Sequence, residues 1–129
     1  LDTEYPKIFG MDRVDPTRNI YVTEGPFDSL FLDNSIAVAQ SDLRVPQFKD
    51  KAVLVPDNEP RNPEICKQIE RCIDEGYKVC LWPNTIKEKD INDMILSGML
   101  PAEVLGIIHS NSHSGLKAKT VFNSWKRTY

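Results

Sequence analysis

The sequence predicts an α/β fold, an open and mainly parallel four-stranded sheet with helices on both faces. Three observations carry that prediction. Short runs rich in β-forming residues recur at 20–23, 36–39, 52–55 and 78–82. The stretches between them are long enough for crossovers, which parallel neighbours require. Several of those stretches carry apolar residues at helical spacing between recognisable start and stop signals. Strand and helix alternate, and sheets of that kind take ligands at the carboxyl ends of their strands.

Taken in order, residues 1–19 are polar and interrupted by Pro6, Gly10 and Pro16, a lead-in segment with room for a short strand at Lys7–Phe9. The first regular strand, Ile20–Thr23, runs into Glu24, Gly25 and Pro26; a short helix is expected after Pro26, with Phe27, Leu30 and Phe31 inward. Gly25, lacking a β-carbon, is expected to let the chain turn sharply and a substrate come close. After the strands Ile36–Ala39 and Ala52–Val55 comes the clearest helix, with Asn62 as cap, Pro63 at its first position and Gly76 at its end. Its apolar residues Ile65, Ile69, Cys72 and Ile73 share one face. The fourth strand, Lys78–Trp82, leads to a helix from Asp90 carrying Ile91, Met94 and Ile95 up to Gly98, and another from Pro101 burying Val104, Leu105 and Ile108. Trp82 beside Pro83 is expected to close the sheet end. Residues 20–109 form the predicted domain and 110–129 a basic, helical tail whose Phe122 and Trp125 pack on it.

A chain of 129 residues is one domain's worth, able to bury roughly two thirds of its unfolded surface. Its 40% hydrophobic and 27% charged residues are ordinary globular values. No apolar run approaches the ~20 residues of a membrane span, so no membrane partner is expected. The opening Leu1 and the lack of a basic, apolar leader read as a piece of something longer. Cys66, Cys72 and Cys80 are odd in number and form no CxxC pair, which argues against a disulfide framework and a zinc knuckle and fits a reducing cytoplasm. All nineteen acidic residues precede position 104, while four of the sixteen basic ones (Lys117, Lys119, Lys126 and Arg127) follow it, giving −7 for the body and +4 for the tail. The pattern fits a metal site near a polyanion contact, and equally a solvated terminal helix. His109 and His113 stand four apart, but Asn111, Ser112 and Ser114 favour a solvated turn over a zinc pair.

The chemistry lies in the acids. Glu24 ends the first regular strand, and Asp57 and Glu59 follow the third in "VLVPDNEPRN". Carboxylates gathered on one rim repel unless a cation offsets them, and hard ions such as Mg²⁺ favour oxygen ligands. In extended backbone Asp57 and Glu59 would point the same way and could share an ion. Asp90, in "KEKDINDM", stands either as a plain helix cap or as a third acid at a strand exit. Arg61, Lys87, Lys89 and Arg44 are basic residues near that rim, open between ligand contact and ordinary surface charge.

"VTEGPFDSL", an apolar strand ending in "PDNE", and "KDINDM" together resemble the TOPRIM domain shared by bacterial and phage primases, topoisomerases and some nucleases, over roughly residues 19–100. The last motif leans toward phage-type primases. Glu59 departs from the family's usual DxD. The resemblance implies a TOPRIM-like sheet and a Mg²⁺ site, with Mn²⁺ able to substitute. It makes Glu24 a general acid/base or metal residue, Asp57 and Glu59 the principal ligands, and Asp90 and Asp28 completing acids. It further implies nucleotidyl transfer that makes short RNA primers for DNA replication, a single-stranded DNA template, ribonucleoside triphosphates contacted by Arg61, Lys87 and Lys89, and a replicative helicase as partner. Two alternatives stay open: a TOPRIM nuclease or topoisomerase fragment, and a non-catalytic DNA-binding or helicase-docking module. A topoisomerase needs a nucleophilic tyrosine, and Tyr5, Tyr21, Tyr77 and Tyr129 lack convincing settings.

Overall fold

The computed structural model describes residues 8–38 and 42–127. Its elements run β1 (Ile8–Phe9), β2 (Ile20–Thr23), α1 (Pro26–Ser29), β3 (Ser35–Val38), β4 (Ala52–Val55), α2 (Pro63–Asp74), β5 (Lys78–Cys80), α3 (Ile91–Leu96), α4 (Pro101–Ser110), β6 (Ser112–His113) and α5 (Gly115–Trp125). They build one sheet in the order β1-β3-β2-β4-β5-β6. The four central strands are parallel, as the sequence predicts. Two-residue strands extend both edges antiparallel, β1 on β3 and β6 on β5. Lys7 and Ala39, the outer ends of two expected strands, lie outside the described residues, as do Tyr5 and Tyr129.

The central strand β4 shows why the order is parallel and doubly covered. All four residues of Ala52-Val53-Leu54-Val55 are buried, so helices must close both faces. Alternate side chains go opposite ways. Ala52 and Leu54 join Ile20, Val22, Ile36 and Val79 beneath α2 and α5. Val53 and Val55 join Cys80 and Trp82 beneath α3 and α4. The helix α2 forms for the reasons read from its sequence: the Asn62 side chain accepts the N–H groups of Glu64 (3.0 Å) and Ile65 (3.4 Å), Pro63 opens it, and Gly76 leaves it at φ +92°. Ile65, Ile69, Cys72 and Ile73 all face the core.

Residues beyond 109 are built into this core. Phe122 (3% exposed) and Trp125 (8%) lie under the sheet beside α2, and the backbone N–H of Arg127 donates to Pro60 at 2.7 Å. His109 lies in the last turn of α4 and His113 stands in β6, so the expected turn is a helix end followed by an edge strand. Among the described residues no helix is long and apolar enough to cross a membrane.

One element departs from expectation. The helix after Pro26 is a single turn, and Phe27 (69% exposed) and Leu30 (66%) face outward while Asp28 (7%) and Ser29 are buried. A four-residue helix has too little apolar face to fix its rotation by packing, and the Asp28 carboxylate sets it instead, accepting the N–H of Asn92 at the start of α3 at 2.9 Å.

Candidate metal centre

The site arises where the sheet changes direction. From β2 the chain crosses to β3 on one side, and from β4 to β5 on the other, although β2 and β4 are neighbours. The crevice outside such a pair is where open α/β sheets bind ligands. Thr23 pairs with Val55, so Glu24 and the Pro56-Asp57 segment leave the same edge side by side. The Glu24 carboxylate accepts the backbone N–H of Asp57 at 2.8 Å, locking the two exits together.

The third exit, after β5, is held by Asn58. Its backbone N–H donates to the carbonyl of Lys89, and its side-chain amide donates to the carbonyls of Ile86 (3.0 Å) and Glu88 (3.1 Å). These bonds bring Asp90 to the rim. Asp90 also caps α3, accepting the N–H of Asp93 at 2.8 Å, so the two roles weighed for it in the sequence coexist. Trp82, 2% exposed, closes the sheet end as expected and donates its indole N–H to Pro56 at 2.8 Å.

The outcome is a cluster of three carboxylates, Asp28, Asp57 and Asp90, each offering one oxygen within 4.8 Å of the others. They line a shallow pocket of about 180 Å³ with Glu24, Gly25, Phe27 and Asn92. Burial pushes the Asp57 carboxyl up to about 7, helped by the negative charges of Glu24, Asp28 and Asp90. Burial likewise pushes Asp28 to about 6, with Asp90 and Asp93 adding to the effect against the N–H of Asn92. Glu24 is raised as well, again chiefly by burial. Lys89 pulls the other way on all three, and its own ammonium is held more firmly by Glu59 and Asp57. Acids crowded this way could hold a cation: three hard oxygen donors converge, and the nearby cation set against them among the described residues is the exposed Lys89.

The ligand set read from the sequence, Glu24, Asp57 and Glu59, shares only Asp57 with this cluster. Its premise of extended backbone across Asp57-Asn58-Glu59 does not hold. The N–H of Glu59 donates to the carbonyl of Asp57 at 3.0 Å, a tight turn that carries the Glu59 side chain to Asn62 (3.1 Å) and Lys89 (3.5 Å). Gly25 also differs from expectation: at φ −145° it is in extended backbone that any residue adopts, and a β-carbon there would meet nothing within 4 Å. Arg61 and Lys87 line, with Asn58, a separate cavity of about 530 Å³ and not the acidic pocket. Arg44 does not, being paired with Asp42 and Glu75 near the far end of α2. Tyr77 is 2% exposed and Tyr21 half-buried within β2. Asn58, which organises the rim, drew no notice in the sequence; its place between two acids in "PDNE" was the available signal.

The chain is similar to a DNA primase of enterobacteria phage T4. The two are 43% identical over 120 residues, a stretch that takes in 90% of this chain and 35% of the relative. The chain thus spans about a third of the protein it matches. No family model matches it.

Proposed function

We propose that this chain is the TOPRIM catalytic domain of a DNA primase and carries out Mg²⁺-dependent nucleotidyl transfer that makes short RNA primers. The observation that supports the reading most is the convergence of Asp28, Asp57 and Asp90 from three separate strand exits at the switch point of the sheet. The likeness to the phage T4 primase supports the same reaction class. Residues 20–109 are the catalytic domain in this reading, with 1–19 leading in and the basic 110–129 following.

The donor set fits Mg²⁺, or Mn²⁺ in its place, because all three groups are carboxylates and the pocket is open enough for retained waters and phosphate oxygens. Bound there, the ion supplies charge neutralisation at the transferring phosphate and the departing pyrophosphate. Asp28, Asp57 and Asp90 hold it. Glu24, fixed by its bond to the Asp57 N–H, keeps its other oxygen for a proton at the attacking 3′-hydroxyl, and its raised pKa suits that exchange. Lys89, tethered by Glu59, faces the triphosphate, while Arg61 and Lys87 extend the positive rim toward template or nucleotide. A single-stranded DNA template, ribonucleoside triphosphates and a replicative helicase are the partners of this activity.

The test is primer synthesis by the full-length protein on single-stranded template, with Asp57→Asn and Asp28→Asn beside the parent. Both variants are expected to fold and to lose divalent-dependent synthesis by at least a hundredfold. Full synthesis by either rejects the assignment, and cleavage of supercoiled DNA in its place moves the chain to the nuclease alternative.

A further inference from the structure

The acidic pocket is too small for a whole nucleotide. At about 180 Å³ it falls below the range of about 300–1,000 Å³ usual for small-molecule sites. An ion and phosphate oxygens fill such a space, and a sugar and base must rest outside it, against its lip. Among the described residues that lip has one apolar side chain, Phe27, which stands beside the carboxylates of Glu24, Asp28, Asp57 and Asp90. Phe27 is also the only aromatic ring among the large hydrophobic side chains left exposed. Leu30, three positions on and equally exposed, lies on the same side of the turn.

The outward ring is built into the turn. The Asp28 carboxylate holds the inner side of α1 to the N–H of Asn92, and the Ser35 hydroxyl bonds the carbonyls of Ser29 and Leu32, both at 2.7 Å. The Ser29 hydroxyl donates back to Pro26 at 2.8 Å. Phe27 and Asp28 are consecutive, so a rotation of α1 that buried the ring would withdraw the carboxylate from the acidic cluster. A large apolar side chain kept in water at the mouth of a pocket points to a ligand that covers it. A protein seated on Phe27 would shut the pocket that the ring lines; a flat ligand whose phosphate enters the pocket meets no such conflict.

We infer that Phe27 is the stacking platform for the nucleobase of the nucleotide whose phosphate enters the acidic pocket. The inference rests on the metal-centre reading and adds to it a contact with the base, which neither the carboxylates nor the basic residues supply. An aromatic face carries no hydrogen-bonding code, so the platform holds any base and leaves the choice of base to pairing. The base belongs either to the incoming ribonucleoside triphosphate or to the 3′-terminal nucleotide of the primer.

Equilibrium binding by the full-length protein in Mn²⁺ tests this, with fluorescently labelled ATP in one arm and a labelled ribo-trinucleotide in the other. Phe27→Ala and Phe27→Leu are expected to weaken one arm about fivefold or more, and Phe27→Trp to retain it; the arm that weakens names the source. Mn²⁺ affinity without nucleotide and the urea midpoint should match the parent in all three variants. In primer synthesis the loss should appear in KM and not in kcat. Binding by Phe27→Ala equal to the parent in both arms, Phe27→Leu as good as the parent, or a loss of Mn²⁺ affinity in Phe27→Ala overturns the inference and leaves the metal centre standing. A parent that binds neither probe, or binds without help from Mn²⁺, defeats the metal-centre reading and this inference with it.

Discussion

Replacing Asp57 by Asn should stabilise the metal-free chain while abolishing its use of divalent ions. The Asp57 carboxyl is moved from 3.8 to about 7 by burial and by its acidic neighbours, a burden of about 4 kcal/mol in the limit of complete enclosure. The group is only partly enclosed, and solvent screening reduces the expected gain to about 1–2 kcal/mol. Because the folded-state pKa is raised, the stability lent by the protonated carboxyl is fully present below pH 3.8 and lost as pH climbs through about 7. The gain of the variant over the parent should therefore be full at pH 8 and vanish near pH 4. Among the described residues the side chain makes no hydrogen bond that Asn would break, and the backbone N–H that Glu24 accepts is unchanged. Urea unfolding in EDTA at both pH values measures the difference. Added Mn²⁺ should reverse the order, stabilising only the parent, by about 2.7 kcal/mol at a hundredfold excess over Kd. A variant less stable than the parent at pH 8 in EDTA, or stabilised equally by Mn²⁺, refutes the idea that repulsion is stored at this cluster for a cation.

The remaining predictions concern its neighbours. Asp28→Asn should weaken Mn²⁺ binding at least tenfold by calorimetry and Glu59→Gln less than threefold, since Glu59 is turned toward Asn62 and Lys89; the reverse order would restore the ligand set read from the sequence. Asp90→Ser should keep the α3 cap and most of the stability yet lose Mn²⁺ affinity, whereas Asp90→Ala should lose both, with the cap costing about 1 kcal/mol in urea unfolding. Asn58→Ala removes the side-chain bonds to Ile86 and Glu88 and should cost about 1–3 kcal/mol and loosen the acidic rim, read as faster amide exchange at residues 86–90. Gly25→Ala should leave the unfolding midpoint unchanged, because the backbone is extended and the β-carbon space is open; a lowered midpoint would show that the turn does need glycine.

How far the sequence carried depends on how local each determinant is. The four parallel strands and α2 were legible because burial on both faces leaves unbroken apolar runs, and Asn62, Pro63 and Gly76 punctuate α2 within a few residues of it. The single turn α1 was not, since four residues hold no period; the inward residue is a carboxylate fixed by a bond to Asn92, sixty-four positions away. The orientation of Glu59 failed for the same reason. Extended spacing is a local rule, and the bonds from Asn58 to the loop before Asp90 override it. The acids were legible as a rim from their positions after strands, but which of them converge was decided by contacts some thirty to sixty residues apart in sequence.

Those contacts share a design that bears on how the centre assembles. Glu24 reaches across to the backbone N–H of Asp57, Asp28 to that of Asn92, and Asn58 to the backbone of residues 86–89. In each case a side chain on one strand exit grips the main chain of another, so the rim is set by backbone positions that substitution of the acids leaves in place. Amide replacements at Glu24 or Asp28 keep an oxygen acceptor and hence the grip, while removing the charge. Loss of metal binding at Asp28, or of synthesis at Glu24, without loss of fold is therefore the expected signature of those variants, and alanine, which removes the acceptor too, should uncouple the loops as well. A site whose acids repel one another can stay in register only if something other than the acids' mutual contacts holds it, and these three ties are what does so among the described residues.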